Sequence, residues 1–145
     1  MQRDWLEPRL DDWLSALDGA IRACARAPVL AAHSLACALV AHWAARDAGA
    51  AVRAALLVAP ADVDSPAHTP HEVRNFSPVP LGRLPFPSIV VASDDDPFVS
   101  PGRVAAFARG WGSRLVTLPG AGHINADAGF GPWPEGRRLL STLIE

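Results

Sequence analysis

Cysteine is scarce in this 145-residue chain, with Cys24 and Cys37 its only two. Neither has the spacing of a metal site or a redox pair, which argues against a fold held by disulfides or zinc. Both read as reduced core thiols. An excess of charge of one sign is also lacking. Thirteen basic against fifteen acidic residues, a net charge of −2 and a pI near 6.2 leave no basic stripe, so nucleic acid is not expected as a partner. No apolar run is long enough to span a bilayer. The charged, Trp-containing sequence after Met1 is not a signal-peptide pattern, so a cytoplasmic protein with no membrane partner is expected. Internal repeats and interdomain linkers are absent, and the length suits one domain over 1–145.

What the chain does contain is a regular alternation of elements. Residues 9–26 carry Leu10, Trp13, Leu14, Leu17 and Ile21 on one helical face. A strand over 28–33, a helix over 35–47 and a strand over 52–59 follow. Neither strand alternates apolar and polar residues, as expected where a parallel sheet is covered on both faces. A strand over 87–93, a helix over 101–110, a strand over 114–118 and a closing helix over 134–144 complete the pattern. Helix and strand in turn predict an α/β fold, a three-layer sandwich with a mostly parallel sheet between helices.

Three polar residues fall at the carboxyl ends of predicted strands. Pro28-Val29-Leu30-Ala31-Ala32-His33 runs into Ser34 and then into Leu35-Ala36-Cys37, the strand-turn-helix pattern of a nucleophile elbow. In such a turn the Ser hydroxyl is lifted clear of the sheet, and the next amide, that of Leu35, points at the same spot. The usual glycines of G-x-S-x-G are replaced by Ala32 and Ala36. Asp96 follows Ser88-Ile89-Val90-Val91-Ala92, and His123 follows Arg114-Leu115-Val116-Thr117-Leu118. Ser, Asp and His in this order are the α/β-hydrolase order. The chemistry needs all three, because a Ser hydroxyl is a poor nucleophile until an imidazole takes its proton and a carboxylate orients that imidazole.

Each residue also has a plainer reading. Ser34 alone would be a helix N-cap, the Asp94-Asp95-Asp96 run a solvated loop, and Gly120-Ala121-Gly122-His123 a turn. Asp94 and Asp95 are alternatives to Asp96 as the acid. His33 is expected to make a structural hydrogen bond, its side chain directed away from the elbow, and Asn125 to bond around the His123 loop. The five tryptophans, Trp5, Trp13, Trp43, Trp111 and Trp133, read as packing residues, with Trp133 also placed to line a pocket. The Pro-rich residues 60–87 are too long for an ordinary connection and read either as a lid or acyl-pocket wall, with Phe76 its apolar contact, or as a rigid surface loop. His68 and His71 are split by Pro70, so they are not expected to hold a metal.

Together, Arg3-Asp4-Trp5, Asp12-Trp13, Ala32-His33-Ser34-Leu35, Ala55-Leu56-Leu57-Val58-Ala59-Pro60, Phe76-Ser77-Pro78-Val79-Pro80, Leu84-Pro85-Phe86-Pro87-Ser88, Gly122-His123-Ile124-Asn125 and Phe130-Gly131-Pro132-Trp133-Pro134 resemble the retinoblastoma-binding protein 9 / YdeN-like serine hydrolases. The resemblance runs through the whole chain. It implies a triad of Ser34, Asp96 and His123, and its spacing favours Asp96 over its neighbours. Members of that family carry Gly where this chain has Ala36, a change expected to be tolerated at a small penalty. They also carry several dozen residues before the Asp-Trp segment, including a first strand and a Gly-rich turn that supplies the second oxyanion amide. The expectation is therefore an N-terminally truncated hydrolase fold, best explained by a misassigned start site. The strand of Ser34 would then be an exposed edge, open to homodimer pairing with a second copy.

The function expected on these grounds is acyl transfer from a small ester, thioester or amide to water, without metal or organic cofactor. The competing reading is an inactive hydrolase fold kept as a protein-interaction module. The Leu-x-Cys-x-Glu binding motif attributed to a relative is not reproduced, since Leu35-Ala36-Cys37-Ala38-Leu39 ends without the Glu.

Overall fold

The computed structural model describes residues 5–46 and 51–145. Its order is α1 (Leu10–Arg22), β1 (Val29–His33), α2 (Leu35–Arg46), β2 (Ala54–Val58), β3 (Ser88–Ser93), α3 (Pro101–Trp111), β4 (Arg114–Leu118) and α4 (Pro134–Thr142). Short 3-10 helices cover His71–Phe76 and Ala126–Ala128. Residue 47 of the expected second helix lies outside the described residues, as do Arg3 and Asp4 of the family pattern.

The four strands are all parallel and adjacent in chain order, β1-β2-β3-β4. Register aligns their carboxyl ends on one rim, pairing His33 with Val58, Val58 with Val91, and Ser93 with Leu118. Alternate residues of the central strands feed two cores. Ala55, Leu57, Val90 and Ala92 join Trp13, Leu14, Cys37, Val40, Phe107 and Trp111 under α1, α2 and α3. Leu56, Val58, Ile89 and Val91 face the other way and pack with Leu139 and Leu140 of α4. Every side chain of β2 and β3 is buried, which is why neither strand shows polar alternation. β1 has no strand on its outer edge among the described residues, and its side chains are only partly covered.

Several sequence expectations need correction. Cys24, expected as a core thiol, is exposed just past the end of α1, and only Cys37 of the two is buried. The first helix stops at Arg22 rather than running to 26, because its buried stripe of Trp13, Leu14 and Ile21 ends there. A helix continued beyond the stripe would have no apolar face to pack, and tertiary burial supplies most helical stability. Trp5, expected as a packing residue, is 66% exposed and meets the core residue Trp13 edge-on, ring centroids 5.3 Å apart.

Of the two readings of residues 60–87, the packing favours the rigid loop, and the expected apolar contact of Phe76 with a substrate needs correction. Val63, Phe76, Val79, Leu84 and Phe86 are all buried. Phe76 is wholly inside, its ring meeting that of Trp13 edge-on at 5.6 Å, and its carbonyl accepts a hydrogen bond from His42 Nε2 at 2.7 Å. It offers no surface to a substrate. Polar ties hold the segment from beneath. Arg103 at the start of α3 reaches Asp62 Oδ1 at 3.3 Å and also pairs with Asp64. Asp64 Oδ1 in turn accepts from Ser77 Oγ at 2.6 Å and from the Val79 amide at 3.1 Å. His68 donates from Nδ1 to the Pro97 carbonyl at 3.1 Å, so it too is a tether. No group of three or more His, Cys, Asp or Glu able to hold a metal ion occurs among the described residues.

Candidate active site

β1 ends in a tight turn at Ser34, whose φ is +57°. An L-residue in the left-handed region costs on the order of 1–3 kcal/mol and persists only where its surroundings fix it. Here both sides do. The Ser34 amide donates to Val58 O at 2.9 Å, continuing the sheet ladder, while Ser34 O accepts from the Cys37 amide at 3.0 Å, opening α2. The helix begins at Leu35, so the Leu35 amide is among the first-turn N–H groups that lack an intrahelical acceptor. Ala36 is partly buried against the first core, so the methyl group that replaces the family glycine has been accommodated. Cys37, beneath the turn, is fully buried. Desolvation pushes its thiol up, and the thiol serves as a weak donor to Val58 O at 3.4 Å rather than as a nucleophile.

Ser34 Oγ lies 2.8 Å from His123 Nε2, although 89 positions separate them in the chain. His123 Nδ1 lies 2.9 Å from Asp96 Oδ2 and 3.0 Å from Oδ1. A carboxylate only accepts, so Nδ1 carries the proton and Nε2 is left to accept from the Ser34 hydroxyl. The Asp96 side chain is wholly buried and that of His123 is 11% exposed. A second restraint on the acid comes from the Phe98 amide, which donates to Asp96 Oδ1 at 2.9 Å. Such a series can draw a proton from the hydroxyl as the oxygen attacks.

The other two aspartates have a different task. Asp94 Oδ1 accepts from the Gly120 amide at 2.7 Å, Ser93 Oγ from Ala121 at 2.8 Å, and Asp95 Oδ1 from Gly122 at 2.7 Å. The end of β3 thus grips the His loop at three consecutive amides. The hydroxyl of Ser93 and the Gly122 amide hold the Asp95 carboxyl below the usual carboxylate range. The loop needs this support because Gly120, Gly122 and Ile124, around His123, all have positive φ. On the far side Asn125 Oδ1 accepts from the Ala128 amide at 3.0 Å, the local bonding expected of it.

Two neighbours of the imidazole are not evident from motif spacing. Phe98, 37% exposed, places its ring centroid 4.5 Å from that of His123. His33 is the second, ring centroids 4.8 Å apart, with Nε2 2.8 Å from the His123 carbonyl oxygen. The structural hydrogen bond expected of His33 exists, but the ring turns toward the imidazole rather than away from it. Trp133 is half-buried, edge-on to Phe130 at 5.7 Å, and packs against the second core.

The family model for serine hydrolases matches residues 1–142. With that match and the structural likenesses below, the chain belongs to the YdeN-like serine hydrolases of the α/β-hydrolase superfamily. A YdeN-like hydrolase from Pectobacterium atrosepticum is 31% identical with a TM-score of 0.83, over 99% of this chain and 74% of its own. The ydeN gene product of B. subtilis shares the fold at 23% identity and a TM-score of 0.78, over 99% of this chain and 79% of its own. A monoacylglycerol lipase from Paleococcus ferrophilus shares it at 13% identity and a TM-score of 0.72, over 95% and 76%. Among curated proteins no match was found. No helix among the described residues is long and apolar enough to cross a membrane.

Proposed function

We propose that the protein hydrolyses a small carboxylic ester, thioester or amide through an acyl-enzyme on Ser34. The observation that carries this reading is the unbroken hydrogen-bonded series from Ser34 Oγ through His123 to buried Asp96. Ser34 Oγ attacks the substrate carbonyl carbon while His123 Nε2 takes its proton, and Asp96 stabilises the imidazolium that forms. The Leu35 amide donates to the oxyanion from the start of α2. Collapse of the tetrahedral intermediate breaks the bond to the leaving group, which receives the proton from His123. Water then repeats the sequence on the acyl-enzyme, releasing the acid and restoring the Ser34 hydroxyl. Every proton is returned, and no step draws on a metal or organic cofactor.

Phe98 is the substrate-facing group that best fits the site. Its exposed ring flanks His123, the residue that must reach the leaving group, so an apolar portion of the substrate rests there.

Turnover of p-nitrophenyl esters of increasing chain length, with matched thioesters and anilides, tests the reading. Saturable release is expected for at least one series. Ser34→Ala should lower it on the order of 10⁴-fold or more, as loss of a triad nucleophile does. Equal rates in the two proteins would remove the proposal.

A further inference from the structure

We infer that His33 is a positioning residue, which sets the place of the His123 imidazole by donating its Nε2–H to the His123 carbonyl. The inference rests on the reading of His123 as the general base. Two adjacent residues of one turn grip the same partner. Ser34 meets the ring of His123 at Nε2, and His33 meets its carbonyl, both at 2.8 Å.

The carbonyl is where such a grip is needed. It belongs to the peptide joining His123 to Ile124, and Ile124 has φ +47°. For a β-branched residue that conformation is strained, so an unrestrained peptide there would relax toward negative φ. Relaxation would swing the imidazole relative to Ser34 Oγ. The amides on the other side of His123 are already fixed to β3 by Asp94, Ser93 and Asp95. Those bonds end at Gly122; beyond it the Ile124 amide donates within the loop to Ala121 O at 3.1 Å, and the Asn125 turn follows. The Ile124 bond stays inside the loop, whereas His33 takes the carbonyl of the same peptide and ties the loop to the strand that carries the nucleophile. The carbonyl can only accept, so the bond fixes His33 with hydrogen on Nε2.

His33 is exposed in β1, so substitution there leaves the buried core untouched. His33→Gln places an amide N–H near the former Nε2, whereas His33→Phe keeps a ring without a donor and His33→Ala removes both. Three readouts separate positioning from mere stability: kcat and KM on an ester, the downfield proton resonance of His123 Nδ1 in its bond to Asp96, and the melting temperature. His33→Phe and His33→Ala are expected to lower kcat about tenfold, in line with the cost of small misplacements. KM should stay within about twofold, and the Nδ1 resonance should shift or broaden. His33→Gln should restore both kcat and resonance. Unchanged kcat and resonance in His33→Phe, or His33→Gln as impaired as His33→Phe, would overturn the inference. Wild-type protein that turns over no ester yet shows a His33-dependent resonance would remove the proposed hydrolysis and leave the positioning intact.

Discussion

Asp96 and His123 meet through a short, buried contact, Nδ1 lying 2.9 Å from Oδ2 of a carboxylate with no solvent exposure, while Asp95 next door holds only the Gly122 amide of the same loop. Adjacent acids therefore have separable tasks. Asp96→Asn should lower ester turnover by about 10⁴-fold, because the amide no longer fixes the tautomer or stabilises the imidazolium. Asp95→Asn should retain most turnover and lose stability instead. Steady-state kinetics and urea melts on the pair decide it, and the reverse pattern would reassign the acid.

Asp95 also makes a pH-dependent contribution of known sign. Its carboxyl is held below the usual range by Ser93 and Gly122, so the folded state binds its proton less readily than the unfolded chain. The stability it adds is present above about pH 4, near the unperturbed Asp value, and is lost as pH falls through the lowered folded value. Urea midpoints between pH 7 and pH 3 should fall more steeply in the wild type than in Asp95→Asn. Parallel curves would show that the loop tether carries no such linkage.

Phe98→Ala should weaken turnover of apolar esters through KM. The loss of a half-exposed aromatic contact is worth about 1 kcal/mol, a factor of about five in kcat/KM. Short acetyl esters should be affected least. An equal effect on every chain length would show that Phe98 does not touch the substrate.

α4 is held by a close approach at Gly136, where an added Cβ would fall 2.1 Å from the Trp133 ring. Gly136→Ala must move that ring or the helix, so a destabilisation of at least 1–3 kcal/mol is expected, roughly 3–10 °C in melting temperature. At Gly102 in α3 no heavy atom lies within 4 Å of an added Cβ. Gly102→Ala should be neutral or stabilising by up to about 1 kcal/mol, since Ala favours helix. Differential scanning calorimetry of the two variants checks the contrast.

Much of this was legible in the residues, and the exceptions have physical causes. β4 matches its expected limits of 114–118 because its run of β-branched and apolar residues lies between Gly112-Ser113 and Pro119-Gly120. The convergence of Ser34, Asp96 and His123 was readable because a parallel sheet puts strand ends on one rim, whatever separates them in sequence. Phe76 was misplaced because a proline-rich connection has no periodicity from which to read burial, and contact with Trp13 decides its position. Phe98 could have been noticed from its place two residues after Asp96. The bond from His33 to His123 had no sequence signal, since it depends on how the His loop passes the end of β1.

The central claim is that Ser34 is an activated nucleophile, and covalent labelling reads this most directly. Intact-mass and peptide mass spectrometry after exposure to a fluorophosphonate should show one adduct, on Ser34, formed in the wild type and absent from Ser34→Ala and His123→Ala. No adduct on the folded wild type, or an adduct that survives Ser34→Ala, would contradict the account.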